Sequence, residues 1–343
     1  MGRAIGVDLH KNSFTVCFLK SETDYQTKTY RVSPKGLGDF KKHLNSEDEV
    51  AVESTGNTAY FVREIEGRVK RSRIVNPIQF KVIANSVRKT DKIDAFTIAL
   101  FLSKDLIPEV RMKTKEESQT SSLIGTRDKL VKLRTSLKNK IHNILNANGI
   151  VSEPEMFSSE KGLEKVLRLE LEACYRFEIA LLVDEIRHLN GSIEKINGEI
   201  KSRGEKLPGH KNLVSIKGIS DTGATIFLNT IGNIHDFKDE KSLASYFGIT
   251  PRVYLSNETV RHGRITKMGN KIARTALVQS TLVAIRYSPY LKAFYEKIKA
   301  RRGAGKAIIA TSRKMLGIIY NTLKNNWVFE DFTKFKLASQ GAA

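Results

Sequence analysis

Asp91 and Asp94 stand three residues apart in Lys89-Thr90-Asp91-Lys92-Ile93-Asp94-Ala95, a spacing that puts both carboxylates on one face of a helix. Two like charges side by side cost stability unless a cation or hydrogen-bond donors balance them. The bland alternative is a solvated pair flanked by Lys89 and Lys92. Two more acids sharpen the chemistry: Asp8 ends Ile5-Gly6-Val7-Asp8, and Glu53 ends Glu49-Val50-Ala51-Val52-Glu53, both read as strands. Oxygen donors at strand ends and on a helix of one domain are what hold hard divalent ions. Two such ions can stabilise the attacking and leaving oxygens of an in-line phosphoryl displacement. Singly, Asp8 is as well explained as a turn or cap residue and Glu53 as a charge beside a helix. Their joint order, D…E…D-x-x-D over residues 8–94, points to metal-dependent phosphoryl transfer.

These acids need a sheet to position them. Residues 3–20 read as a β-hairpin, with Ile5 and Val7 alternating before a turn at His10–Ser13 and Phe14, Val16 and Phe18 alternating after it. Further strands are expected over Tyr25–Val32, Glu49–Glu53 and Ser72–Val75, with helices over Phe40–Leu44, Thr58–Gly67 and Phe80–Leu102. The order β-β-β-α-β-α-β-α implies a mixed sheet flanked by helices. A sugar-kinase or actin-like ATPase also opens on a strand ending in Asp, but it needs glycine-rich phosphate loops of a type this chain lacks.

From Lys115 the composition becomes charged and helical. Leu123, Leu130, Leu133, Leu137, Ile141, Ile144 and Leu145 form one stripe, and residues 146–154 break it. A second long helix is expected from Glu160 to Arg203, where Leu182, Ile186, Leu189, Ile193, Ile196 and Ile200 step by four and three as in a coiled coil. Two such helices form an antiparallel hairpin or pair with a second chain, and ordinary bundle packing explains the stripe equally well. Leu213 to Leu228 reads as helix, glycine turn at Gly218, helix. That is either a helix-hairpin-helix whose backbone N–H groups grip a phosphate or a plain packing element. Asp236–Phe247 is a further short helix.

Charge is the strongest bulk signal. The chain of 343 residues carries +21, and residues 251–314 hold 15 Lys/Arg against only Glu258 and Glu296. So one-sided a surface implies a polyanionic partner, most simply nucleic acid. The loop or ribbon from Arg252 to Asn270 is dense in cations and feeds a helix over Lys271–Tyr287, followed by basic helices up to Trp327. Lys11, Lys89, Gly218, Arg252, Arg261, Arg264, Lys267, Lys271 and Arg274 are the nucleic-acid-binding candidates. Ser256 lies in this basic stretch. No Gly-x-Ser-x-Gly elbow accompanies it, His262 reads as a phosphate contact, and lone loop serines are ordinarily inert. No run of about 18 apolar residues suggests a membrane span. Cys17 and Cys174 form no C-x-x-C pair, and a strand begins by Ala4, so a cytoplasmic protein without a signal peptide is expected.

Taken in order, Gly6-Val-Asp8-Leu-His-Lys11, Val52-Glu53-Ser-Thr-Gly56, Lys89-Thr-Asp91-Lys-Ile-Asp94-Ala95, Ile216-Lys-Gly218-Ile219 and Ala244-Ser-Tyr-Phe-Gly248-Ile-Thr-Pro251 followed by Ser256 resemble one family. It is that of bacterial insertion-sequence transposases with a RuvC-like DEDD domain and a C-terminal serine domain, related to Piv-type DNA invertases and described as bridge-RNA-guided recombinases. The resemblance covers essentially the whole chain. It implies an RNase H-like (RuvC-like) fold in which Asp8, Glu53, Asp91 and Asp94 bind Mg²⁺, with Mn²⁺ as a substitute. It also implies that Ser256 is the nucleophile of a covalent phosphoserine–DNA link. The family serine is usually followed by glycine, and here by Asn257, although no other serine lies between Ser245 and Ser280. The family further implies a dimer or tetramer in which the two catalytic parts meet between protomers, holding donor and target DNA duplexes and a guide RNA in the bacterial nucleoid.

The expected architecture is therefore α/β plus α. A RuvC-like catalytic domain occupies residues 1–112, a long antiparallel helical coiled coil 113–205, and a basic, mainly helical serine domain with a helix-hairpin-helix 206–343. Two rival functions use the same residues differently: a hydrolytic junction-resolving nuclease with no covalent step, and a non-catalytic architectural protein whose acids are surface charges.

Overall fold

The structure is a computed structural model that describes residues 2–83, 90–256 and 259–330. The chain divides into two compact units, 1–115 and 116–343.

The first unit is built on a five-stranded mixed sheet. Its strands are β1 (Ala4–Leu9), β2 (Ser13–Leu19), β3 (Tyr25–Arg31), β4 (Glu49–Glu53) and β5 (Arg71–Val75), in the spatial order β3-β2-β1-β4-β5. β1 pairs antiparallel with β2, from Ala4 opposite Leu19 to Leu9 opposite Phe14. It also pairs parallel with β4, with Val7 opposite Val52. β1 is thus central, and all but its first residue are buried. Its side chains alternate between two cores because successive residues of a strand face opposite ways. Ile5, Val7 and Leu9 join Phe14, Val16, Val50 and Val52 against α1 (Pro34–Lys41) and α2 (Thr58–Ile65), which contribute Leu37, Phe40, Phe61 and Ile65. On the opposite face the helix α4 (Asp91–Ser103) covers Cys17, Leu19 and Ala51 with Ala95, Ile98, Ala99 and Leu102. Between α2 and α4, α3 spans Pro77–Ile83.

Two expectations for this unit are corrected. The run Phe80–Leu102 is not one helix: Thr90 is extended (φ −140°, ψ 150°) and its hydroxyl accepts from the Ile93 N–H, so a new helix starts at Asp91. Val87, Arg88 and Lys89 lie outside the described residues. The helix expected at Phe40–Leu44 lies earlier, at Pro34–Lys41, because Ser33 caps it and Pro34 fits the first helical position.

In the second unit, α5 (Lys115–Ala147) leads to α6 (Glu160–Leu167) and α7 (Ala173–Gly204). The single helix expected over Glu160–Arg203 is therefore two. Residues 168–172 leave the helix while Leu169 and Leu171 turn inward onto a core of Ile141, Ile144, Phe157, Leu163, Val183 and Ile186. Hydrogen bonds from Arg127 to Asn197 and from Arg134 to Asn190 run in opposite chain directions, so α5 and α7 pack antiparallel. After them come α8 (His210–Val214), α9 (Asp221–Ile231) and α10 (Glu240–Tyr246). The helix expected at Asp236–Phe247 shortens to α10, because Asp239 accepts from the Ser242 N–H and sets the start there. A two-stranded antiparallel ribbon, β6 (Pro251–Ser256) and β7 (Thr259–Ile265), occupies the stretch read as loop or ribbon. The remaining helices are α11 (Lys271–Tyr287), α12 (Pro289–Arg302) and α13 (Ala304–Lys324). No helix among the described residues is long and apolar enough to cross a membrane.

Candidate metal centre and basic surface

The alternation along β1 that sends Ile5, Val7 and Leu9 into one core sends Gly6 and Asp8 to the other face, beneath α4. On β4, Val50 and Val52 join that first core while Ala51 faces α4, so Glu53 falls on the face of Asp8. Gly6 decides how near α4 comes: a Cβ there would lie 2.1 Å from the Ala95 carbonyl oxygen and 2.4 Å from the Ala99 nitrogen. With that side chain missing, the helix rests directly on the strand. Its first turn, carrying Asp91 and Asp94, arrives beside the end of β1. Both acids also sit where the partial positive charge of a helix N-terminus favours them.

Asp8 is 4 % exposed. Its Oδ2 lies 3.2 Å from His10 Nε2, and the same nitrogen lies 3.5 Å from Asp91 Oδ1. One ligand atom from each of Asp8, His10 and Asp91 falls within 4.8 Å of the other two. Burial pushes the Asp8 carboxyl up from 3.8 to about 6, with His10 opposing the rise and Asp91, Asp94 and Glu53 adding to it. Asp48 shows the contrast. It is 1 % exposed, and although burial pulls its carboxyl up, hydrogen bonds from Arg3 and from the Arg3 and Asn45 backbone hold it below the ordinary range. Asp48 is a balanced structural ion pair. Asp8 is a buried acid among other acids, and among the described residues the His10 imidazole is what opposes the rise of its carboxyl, leaving that described cluster short of positive charge. That deficit and the oxygen-rich donor set fit a divalent ion.

The four acids singled out in the sequence thus belong to one neighbourhood: Asp8 and Asp91 share His10, and Glu53 and Asp94 are near enough to act on the Asp8 charge. Sequence reasoning missed His10 as a member, although its place two residues after Asp8 was visible. It also missed Asn57, whose amide donates to the His10 and Lys11 carbonyls (3.2 and 3.1 Å) and pins the turn after β1. Lys11 is exposed on that turn, and Lys89 lies outside the described residues.

In the second unit Arg252, Arg261, Arg264, Lys267 and Lys271 are exposed. Across the ribbon Arg261 pairs with Tyr254, which is 57 % exposed. Arg274 is half-buried and donates to the Phe247 carbonyl (3.1 Å), so part of its guanidinium serves to hold α11. Ser256 closes β6 opposite Thr259; its side chain, like that of His262, lies outside what is described. Gly218 takes φ +98° with its open side against α11, where a Cβ would meet the Ser280 carbonyl oxygen at 2.5 Å. A packing demand therefore accounts for this glycine, and Ser220, which caps α9, follows it.

A mixed sheet that gathers carboxylates at the end of its central strand, in a chain with a strongly basic second unit, fits an enzyme that acts on nucleic acid. Residues 5–148 match a transposase family of the DEDD type, and residues 210–296 match the transposase IS116/IS110/IS902 family. A transposase for insertion sequence element IS1111A from Coxiella burnetii is 27 % identical over 94 % of this chain and 89 % of its own length. The pilin gene-inverting protein of Moraxella bovis is 26 % identical over 95 % of this chain and 97 % of its own. A probable family 20 transposase from Pseudomonas aeruginosa is 24 % identical over 93 % and 96 %. The chain carries transposase domains of the IS110/IS116 type over residues 5–148 and 210–296, has insertion-sequence transposases and a gene-inverting protein among its relatives, and is an enzyme acting on DNA. The DEDD domain carries with it an RNase H-like fold, consistent with the sheet described above.

Proposed function

We propose that the protein cuts and rejoins DNA strands through a phosphoserine intermediate, with Asp8, Glu53, Asp91 and Asp94 holding Mg²⁺ or Mn²⁺ and Ser256 as nucleophile. The observation that carries the first half of this reading is the buried Asp8 carboxyl set among Glu53, Asp91 and Asp94, which raise it, with the His10 imidazole opposing them among the described residues. A divalent ion bound there would supply charge to the scissile phosphate and to the oxygens that gain charge as it reacts.

The serine step is read from the family resemblance. The Ser256 Oγ–phosphorus bond forms as one phosphorus–oxygen bond of the DNA backbone breaks. The hydroxyl proton is released and the departing strand oxygen gains one. The phosphoserine ester keeps the bond energy, so a second strand's hydroxyl reverses the step and seals a new junction. Arg252, Arg261, Arg264, Lys267 and Lys271, exposed on and beside the ribbon, hold flanking phosphates. The turn after Gly218 offers backbone N–H groups at the start of α9 for one more, and the α5–α7 pair, read as a coiled coil, holds protomers together in a dimer or tetramer. A guide RNA choosing donor and target duplexes follows from the resemblance.

The decisive experiment incubates full-length protein with supercoiled DNA carrying its own element and looks for a denaturation-resistant protein–DNA species. A species that forms in Mg²⁺, is lost in chelator and is absent from Ser256→Ala supports the reading. Strand cleavage that leaves free ends and survives Ser256→Ala would replace it with hydrolysis, which the acidic site could perform with water alone. Sequencing the nucleic acid that co-purifies tests the guide RNA.

A further inference from the structure

We infer that His10 is a direct ligand of the ion bound at the acidic site, supplying a nitrogen donor between Asp8 and Asp91 that tilts the site toward Mn²⁺ over Mg²⁺. The inference rests on the reading that these acids hold a divalent cation, and adds a ligand that the D…E…D-x-x-D pattern does not contain.

The argument begins with spacing. In a six-coordinate shell with bonds of about 2.1 Å, neighbouring ligand atoms are about 3 Å apart and opposite ones about 4.2 Å. His10 Nε2 lies 3.2 Å from one Asp8 oxygen and 3.5 Å from one Asp91 oxygen, and all three donors fall within 4.8 Å of each other. Separations this close to those of a coordination shell need only small rotations about side-chain bonds to close on one ion. A histidine serving only to balance charge needs one carboxylate. His10 has the same nitrogen turned to two carboxylates from different elements, brought together by α4 packing on the sheet over Gly6.

The backbone of the turn that carries His10 is pinned on both sides. The His10 N–H donates to the Ser13 carbonyl (2.9 Å), closing the turn, and the Asn57 amide holds the His10 and Lys11 carbonyls from β4's side of the sheet. The ring is half-exposed, which leaves one flank of the site open to a phosphate. Mixed nitrogen and oxygen donors suit Mn²⁺ better than Mg²⁺, which prefers oxygen donors and keeps much of its water.

The test uses full-length wild type, His10→Ala and Asp8→Asn, each first shown by thermal melting in chelator to be folded. Mn²⁺ is titrated by the loss of the free-ion magnetic resonance signal, Mg²⁺ is measured by competition, and pulsed spectra of bound Mn²⁺ report nitrogen coupling. Expected is a nitrogen modulation in wild type that disappears in His10→Ala, with a tenfold or larger loss of Mn²⁺ affinity and less than a threefold loss for Mg²⁺. Mn²⁺ binding that Asp8→Asn abolishes but that shows no nitrogen coupling in wild type overturns the role of His10 and leaves the acidic site standing. So does a coupling that survives in His10→Ala, or equal losses for both ions. Mn²⁺ binding indifferent to Asp8→Asn overturns the acidic site itself and the inference with it.

Discussion

Gly6 and Ala95 touch backbone to backbone: the place where a Gly6 Cβ would stand is 2.1 Å from the Ala95 carbonyl oxygen. This contact sets the height of α4 above β1, and so the distance from Asp91 and Asp94 to Asp8. Gly6→Ala must push the helix off the strand, because neither backbone can yield like a flexible side chain. Overpacking of this kind costs about 1–3 kcal/mol. The expected result is a lowered melting temperature together with a tenfold or larger loss of divalent-ion affinity. A variant that loses stability but keeps full ion affinity would show that α4 does not set the site.

Asp8→Asn is expected to stabilise the metal-free protein while abolishing strand cleavage. The sign follows from the pKa. A carboxyl lifted from 3.8 to about 6 binds its proton more tightly folded than unfolded. Its stabilising effect is therefore complete below about pH 3.8 and is lost as pH rises to about 6. At 1.36 kcal/mol per pH unit, the penalty above pH 6 is at most about 3 kcal/mol. In chelator, denaturant unfolding should find Asp8→Asn more stable than wild type by about 1–3 kcal/mol at pH 7.5 and nearly equal at pH 3.5. A wild type as stable as the variant at both values would mean that the buried charge is already balanced.

Divalent ions should reverse that penalty, because binding to the folded state alone stabilises it. Saturating Mg²⁺ or Mn²⁺ is expected to raise the wild-type melting temperature by several degrees at pH 7.5. At pH 4.5, where Asp8 holds its proton, the rise should be small. Equal rises at both values would place ion binding away from Asp8.

Ser256→Ala should leave DNA affinity within about twofold of wild type and remove the covalent protein–DNA species altogether, since a methyl group cannot attack phosphorus. Filter binding and denaturing gels read the two effects separately. An adduct that persists in the variant assigns the nucleophile elsewhere.

The ribbon cations predict salt behaviour. Removing one cation from a DNA phosphate flattens the plot of log affinity against log salt by about 0.9. Arg261→Ala and Arg264→Ala should each weaken binding uniformly across DNA sequences and lower the slope by about that amount. Arg274→Ala should lower stability more than slope, because its guanidinium holds the Phe247 carbonyl. A slope unchanged by both ribbon variants would mean that these residues do not touch the DNA.

Sequence by itself determined the parts that depend on near neighbours. Period-two alternation located β1 and β2, short runs bounded by turn residues located β4 and β5, with Asp8 and Glu53 near strand ends, and the one-sided charge of residues 251–314 marked the basic stretch. Helix ends were less legible. Thr90 and residues 168–172 interrupt runs whose apolar period continues across them, because a cap or an inward-turned leucine wins over periodicity locally. Only the tertiary structure decided which groups meet. Asp8 and Asp91 are 83 positions apart, and His10 joins them because β1 ends in a tight turn while α4 crosses the sheet where Gly6 offers no side chain. A pattern read along the chain records what each residue prefers, whereas convergence depends on how closely two backbones can pack.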